Sequence, residues 1–396
     1  MRERERDLKL SNTKFAKTEF DVEKSGFCHH KSGEAAKASP QNFATSHGKK
    51  QTMLNPSTPP TNEQTTKTPL VSVIAPLYNA ERFLPRLVEC LKAQTLRNIE
   101  FILVDDGSSD ATFETAVRLS QNDLRFRVLT QPNAGADAAR KAGLKAANGE
   151  WVGFVDQDDY FSGELFSHLL ELALTYKSDI SCCEFEVVEV SEFCQPKSLA
   201  QKPFSVKVWQ SPQDYLQDLF LAELNFTPYA MPWAKLFSKK LVAALEKTPT
   251  AYGLAEDFVM NVAIGLKASR VVKSDKICYA YVRHQGSMSH TYTPKHLQCL
   301  EENYEKISTL LQDLPSLNGL FTQMKRCRLA LIGAYMALMG ESFSKQEKRR
   351  SLRLLRSELG YIFKSQMAFK GKILALLLCV CPKLALFLLK HTPRKR

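Results

Sequence analysis

Between residues 70 and 155 short apolar runs alternate with amphipathic stretches, and this alternation narrows the possible folds more than any other feature. Val71-Ser-Val-Ile-Ala75, closed by Pro76, has the length and composition of a buried strand, and a helical period follows from about 81 to 94. Ile99 to Val104 is a second apolar run, ended by Asp105-Asp106-Gly107-Ser108-Ser109-Asp110, where Ser109 or Asp110 can cap a helix over about 111–121. A third strand is expected over 125–130, a third helix over 136–147 and a fourth strand over 151–155. Such an alternation predicts an α/β fold with a mostly parallel sheet and flanking helices, which binds its ligand at the carboxyl ends of the strands.

Farther along, 179–190 reads as a strand, 213–224 as a helix, 270–282 as a late strand pair, and the chain from about 295 onward as helical. Residues 1–68 hold few large apolar side chains and read as a disordered extension. The expected organisation is therefore that extension, a catalytic domain over 69–290, and a helical region over 291–396. The chain opens on Arg2-Glu-Arg-Glu-Arg-Asp7 with no apolar run behind it, so no secretory leader is expected. Ten cysteines match neither a disulfide framework nor a zinc site, which points to a reducing compartment.

Charge excludes one broad class. Residues 69–340 hold 28 basic and 31 acidic side chains, whereas 341–396 hold 14 basic and 3 acidic ones. A nucleic-acid-binding core would carry its own basic face, so none is expected. The positive excess belongs to a tail with apolar runs over 373–381 and 384–389, separated by Pro382-Lys383. Each run falls short of the about 20 residues that span a bilayer. Helices lying in the interface, anchored by Lys390, Arg394, Lys395 and Arg396, suit the pattern, which places the protein at the cytoplasmic face of the membrane.

Two acidic groups fall where such a sheet puts its site: Asp105 and Asp106 after the second strand, and Asp156, Asp158 and Asp159 after the fourth. At ~5 Å and an effective dielectric of ~20, each carboxylate pair repels by roughly 3 kcal/mol. Either the pKa values rise or a cation neutralises the group, and a divalent ion shared with substrate phosphates meets that demand. No GxxxxGK[ST], GxGxxG or HExxH sequence occurs, so a P-loop, a dinucleotide fingerprint and that zinc-protease pattern are all unsupported.

The stretches Leu70–Asn79, Val104–Asp110, Ala134–Arg140 with Gly143, and Gly153–Asp159 together resemble the family 2 glycosyltransferases of GT-A fold. Pro232–Phe237, Ala255–Phe258 and Tyr281–Ser289 are similar to that family's later blocks. The resemblance implies a nucleotide-sugar site formed by Pro76, Tyr78, Asn79, Asp105, Asp106, Arg140 and Asp156, with Arg283 or His284 facing the diphosphate. It also implies Mn²⁺ or Mg²⁺ at Asp156, Asp158 and Asp159, and Asp257 as catalytic base with Glu256 beside it. Departures are Asp137 and Lys141, where the family has Ser and Asn, and Ala234 in place of the usual Asn between Trp233 and Lys235.

The expected activity is metal-dependent, inverting transfer from a UDP-sugar to a glycan or lipid-linked acceptor, in the synthesis of a surface polysaccharide. One alternative is loading of sugar directly onto a polyprenyl phosphate. Another is an inactive membrane-bound scaffold, against which the intact acidic residues speak.

Overall fold

The computed structural model describes residues 68–189, 204–284 apart from 228, 244, 246, 247 and 249, and 292–391. All but Thr68 of the expected disordered extension lies outside the described residues, as do 285–289 of the last family block and the terminal cations from Arg394.

The expected mostly parallel sheet is present. Its strands are β1 (Val71–Leu77), β2 (Ile99–Asp105), β3 (Phe126–Thr130), β4 (Trp151–Phe154), β5 (Tyr160–Phe161), β6 (Ile180–Glu189), β7 (Val206–Trp209), β8 (Lys235–Ser238) and β9 (Val271–Arg283). They run in the order β3-β2-β1-β4-β8-β6-β9-β5, with β7 paired to β9 off this path. β1 pairs parallel with both β2 and β4, and β2 with β3. The chain winds outward from β1 in both directions, and at such a switch point the loops part to leave a crevice above the strand ends. β8 is antiparallel to β4 and β6, while β6 and β9 are parallel.

β1 and β2 are buried along their whole length because helices cover both faces, which is why each reads as a continuous apolar run. Alternate residues serve opposite layers. Val71, Val73, Ala75 and Leu77 join Leu84, Leu87 and Leu91 of α1 (Leu84–Lys92) and Phe166 of α4 (Leu165–Tyr176). Ile74 instead joins Ala139 of α3 (Ala136–Ala146). A Cβ on Gly143 would stand 2.4 Å from Ile74 Cγ2, so a glycine lets α3 approach the sheet.

The helix between β2 and β3, α2 (Thr112–Ser120), begins one residue later than predicted. Ala111 occupies its cap position, and Asp110 accepts the Thr112 N–H at 3.1 Å from outside the helix. The expected late strand pair is instead one 13-residue strand, β9, with its first half on β7 and its second on β5.

Two more helices, α5 (Pro212–Leu224) and α7 (Glu256–Gly265), flank the short α6 (Lys239–Val242). The C-terminal helices are α8 (Pro294–Leu310), α9 (Pro315–Met339), α10 (Lys345–Lys364), α11 (Phe369–Val380) and α12 (Pro382–His391). Phe321 of α9 lies 5.4 Å from Phe220 of α5, ring to ring, and Tyr304 of α8 packs edge-on to Phe258 of α7. Arg328 of α9 pairs with Glu223 at 3.3 Å and donates to the Tyr304 hydroxyl at 3.0 Å. These helices therefore close one layer of the core that also supports α7.

Candidate active site

The loops above the ends of β1, β2 and β4 are tied to one another by short polar side chains. Asn79, held at a φ of +48°, accepts the Ser109 N–H at 2.9 Å, and its own N–H donates to Ser108 Oγ at 2.9 Å. Gln157 grips the backbone of Tyr78 from the other side: it accepts the Tyr78 N–H at 2.8 Å and donates to the Tyr78 carbonyl at 3.1 Å. The Tyr78 side chain is left exposed above this clamp, whereas Pro76 is buried in β1 opposite Val104.

Asp105 and Asp106 are both buried and both engaged. Asp105 accepts from the Ser108 N–H at 3.3 Å and the Thr130 hydroxyl at 3.1 Å. Asp106 accepts from Gln131 Nε2 at 2.7 Å and the Ala134 N–H at 3.0 Å on one oxygen, and from the Gly135 N–H at 2.8 Å on the other. Its carboxylate thus shapes the turn that leads into α3 and so places Arg140.

Arg140 is the hub. It is 4% exposed, and its Nη1 donates to Asp257 Oδ1 at 2.7 Å and Glu256 Oε1 at 3.2 Å. Its Nη2 lies 3.6 Å from Asp156 Oδ1. One guanidinium therefore gathers carboxylates from the loop after β4 and from the first turn of α7, so the two acidic groups that the sequence places far apart share one site. Asp137 and Lys141, the departures from the family pattern, lie one helical turn apart on α3 and pair at 3.0 Å. Asp137 accepts the Ala251 N–H at 3.1 Å and Lys141 donates to the Thr248 carbonyl at 3.1 Å, which pins the segment entering α7.

Asp158 meets His284 Nε2 at 2.7 Å, and its backbone carbonyl accepts from Arg86. Arg82 Nη2 stands 3.5 Å from His284 Nδ1, and both pack against Phe83, the guanidinium 4.4 Å and the His284 ring 5.0 Å from its ring centre. Arg283 ends β9 next to His284.

Asp159 departs from its expected place. It is fully buried, with Oδ2 accepting from the Tyr279 hydroxyl at 2.8 Å and Oδ1 from the Val282 N–H at 2.9 Å. It anchors the acidic loop to β9, because a buried carboxylate takes whatever donors the sheet supplies. Asp156, Asp158 and Asp159 accordingly do not converge as a trio, and among the described residues no three His, Cys, Asp or Glu side chains lie close enough to hold an ion by themselves.

The segment entering β8 is held by ring stacking and buried hydrogen bonds. Trp233 is buried and stacks on Tyr279 at 4.6 Å and Tyr281 at 5.7 Å, so it packs rather than presenting a free face. Lys235 is buried below it and donates to the carbonyls of Tyr229 (2.7 Å) and Met231. Asn261 joins this segment to the first turn of α7 by donating to the Ala230 carbonyl at 2.7 Å and the Asp257 carbonyl at 2.9 Å. Ala234 and Ala255 hold φ of +55° and +70°. With Asn79, three residues around the site carry left-handed backbone that L side chains disfavour, as functional loops often do.

Electrostatically the site is short of cations. Burial, with Asp257 and Asp137 nearby, lifts the Glu256 carboxyl to about 8 against the pull of Arg140. Burial also raises Asp156, with Asp257 and Asp158 adding to it, and raises Asp159 well above the carboxylate range. Burial alone would lower the pKa of Arg140, but Asp257, Glu256 and Asp156 outweigh it and raise it. The donor set is hard carboxylate oxygen with fewer fixed cations than acids, which suits a hard divalent ion completed by phosphate oxygens. Asp156 and Asp158 are the residues able to offer it ligands.

A pH dependence of stability follows. A carboxyl whose pKa is higher folded than unfolded keeps a proton that the unfolded chain releases, so its contribution falls as pH rises from its unfolded value toward about 8. Glu256→Gln removes that dependence. The melting midpoint of the variant relative to the natural chain, measured without divalent ions, should therefore climb between pH 5 and 9; a pH-independent difference would contradict the raised value.

The glycosyl transferase family 2 model matches residues 72–245. Over 244 residues the chain is 33% identical to the uncharacterized glycosyltransferase EpsJ of Bacillus subtilis, covering 60% of this chain and 68% of that protein. It is 29% identical to the glycosyltransferase GlyA of Streptococcus pneumoniae, covering 62% of this chain but only 35% of GlyA. In structure it is similar to residues 1–349 of S. aureus TarS in complex with UDP-GlcNAc, with a TM-score of 0.53, 21% identity, and coverage of 78% of this chain and 86% of that one. That likeness supports the GT-A fold.

Proposed function

The chain belongs to glycosyl transferase family 2, and from that premise we propose that it moves a sugar from a UDP-sugar to a hydroxyl of a glycan or lipid-linked acceptor, inverting the anomeric centre. The observation that carries this reading is the Arg140 hub, which holds Asp257 within one guanidinium of Asp156. That shared guanidinium supports a nucleotide site and a base acting on one bound donor.

In this reading the uridine rests against Tyr78 and Asn79 in the cradle shaped by Asp105 and Asp106. Asp158 and Asp156 would hold Mn²⁺ or Mg²⁺, with Asp159 fixing their loop. The ion, when bound, draws charge from the departing diphosphate. Arg140, and Arg283 or His284 from the end of β9, add positive charge beside that diphosphate. Asp257 takes the acceptor's proton as its oxygen attacks from the face opposite the leaving group, and in-line attack inverts the centre. Asn261 and the Asp137–Lys141 pair keep the base in place, and proximity supplies much of the remaining acceleration. Building of a cell-surface polysaccharide is the role that suits such an acceptor.

The test is release of nucleoside diphosphate from a panel of UDP- and GDP-sugars with Mn²⁺, Mg²⁺ or EDTA. One UDP-sugar should be turned over only with a divalent ion. Turnover of no donor, or the same rate in EDTA, would contradict the reading.

A further inference from the structure

The C-terminal helices carry a surface that sugar transfer does not use. On α11, Ile373, Leu376 and Val380 recur on one face at 39%, 41% and 75% exposure, and Phe369 at its start is 74% exposed. On α12, Leu384, Phe387 and Leu388 stand out at 45%, 56% and 40%. The orientation of both helices is fixed from the other side, where Ala375, Leu378 and Ala385 are fully buried in the core. The Ala368 N–H further ties the start of α11 to Asn225 Oδ1 at 2.6 Å. The outward stripe is thus presented by packed helices, and exposed apolar surface of that extent marks a contact site.

Charge identifies the occupant. From 345 to 391 the chain holds 11 Lys and Arg against Glu347 and Glu358 alone. Lys370 and Lys383 are exposed on the same helices as the stripe, and Lys364 is exposed at the end of α10. No helix among the described residues is long and apolar enough to cross a membrane. A second copy of the chain would bring two sets of cations together, whereas an anionic lipid surface attracts them. We infer that α11 and α12 lie on an anionic bilayer, with the apolar stripe in the boundary between headgroups and acyl chains and the lysines at phosphate level.

Deleting 366–396 is a poor test, because it also takes Met367, Ala375 and Leu378 out of the core. The full chain is instead sedimented with vesicles of phosphatidylcholine containing about one third phosphatidylglycerol, and with phosphatidylcholine alone. It should sediment with the first and stay in solution with the second. Lys370→Glu with Lys383→Glu should lower partitioning at least roughly 30-fold, at about 1 kcal/mol for each cation lost. Val380→Asp with Phe369→Asp should abolish sedimentation while the melting midpoint and donor hydrolysis stay unchanged; these sites are 75% and 74% exposed, and hydrolysis reports the transfer reading separately. Equal sedimentation with both vesicles, natural binding by either variant, or a dimer in sedimentation velocity that the Asp variant dissolves would each overturn the inference.

Discussion

Asp257→Asn should lower sugar transfer by about 10²–10⁴-fold, the usual contribution of a positioned general base. The change is nearly isosteric. The Asn side chain keeps a carbonyl oxygen for Arg140 Nη1, which now lies 2.7 Å from Asp257 Oδ1, and Asn261 still holds the backbone carbonyl. The melting midpoint should therefore move by no more than about 2 °C, and UDP affinity should be close to natural. What is lost is the capacity to accept a proton. The same variant separates the two acceptor chemistries, since a polyprenyl phosphate is already an anion and needs no base. Transfer by Asp257→Asn at near the natural rate would remove Asp257 from its proposed role and favour a phosphate acceptor. A loss of transfer matched by a loss of UDP binding would instead mark Asp257 as part of the donor site.

Arg140→Met should cost about 3–5 kcal/mol of stability at neutral pH, the range for removing one partner from a buried ionic cluster. The side chain is 4% exposed and stands within 3.6 Å of carboxylates from Asp156, Glu256 and Asp257. Met fills the same volume, so packing loss is small and charge dominates. The three acids would then face one another with no fixed cation between them, and the carboxyls of Glu256 and Asp156, which burial already raises against the pull of Arg140, would rise further. The melting midpoint should drop by roughly 10 °C at pH 8 and less at pH 5, where Glu256 and Asp156 hold their protons at less cost. Transfer should fall with it, because both the loop after β4 and the first turn of α7 lose their common anchor. A midpoint unchanged at pH 8 would mean that the cluster is relieved by some other cation.

Much of the fold was legible because parallel strands covered on both faces are continuous apolar runs: β1, β2 and β4 lie within a residue or two of their predicted bounds, as does the more polar β6. β5, with two residues, and β7 and β8, with four each, are too short to show a period, and their pairing is decided by β9 and β4. The polar Asp275-Lys276 interrupts the apolar run of β9, a stretch that the sequence presents as a strand pair. Asp275 instead accepts from the Ser205 N–H at 2.7 Å and so fixes the entry to β7. In the site, Asp156, Asp158 and Asp257 were readable from their place after strands or within a known block. Arg82, Arg86 and Gln157 were not, because Arg86 and Gln157 reach backbone atoms and Arg82 a histidine about 200 residues away. For the two arginines the one sequence signal is the Arg82-x-x-x-Arg86 spacing, which puts both cations on one side of the start of α1. Asp159 shows the opposite limit: the spacing within Asp-Gln-Asp-Asp does not say which carboxylate turns inward, and Tyr279 on a distant strand decides it.

If separate acidic stretches converge on one cation-bridged pyrophosphate, calorimetric titration of UDP reads out that bridge. The natural chain should bind UDP about 10-fold or more tightly with Mn²⁺ than with EDTA, and Asp158→Ala should bind it with the same weak affinity in both. Tight UDP binding by the natural chain in EDTA, or an undiminished Mn²⁺ effect in Asp158→Ala, would contradict it.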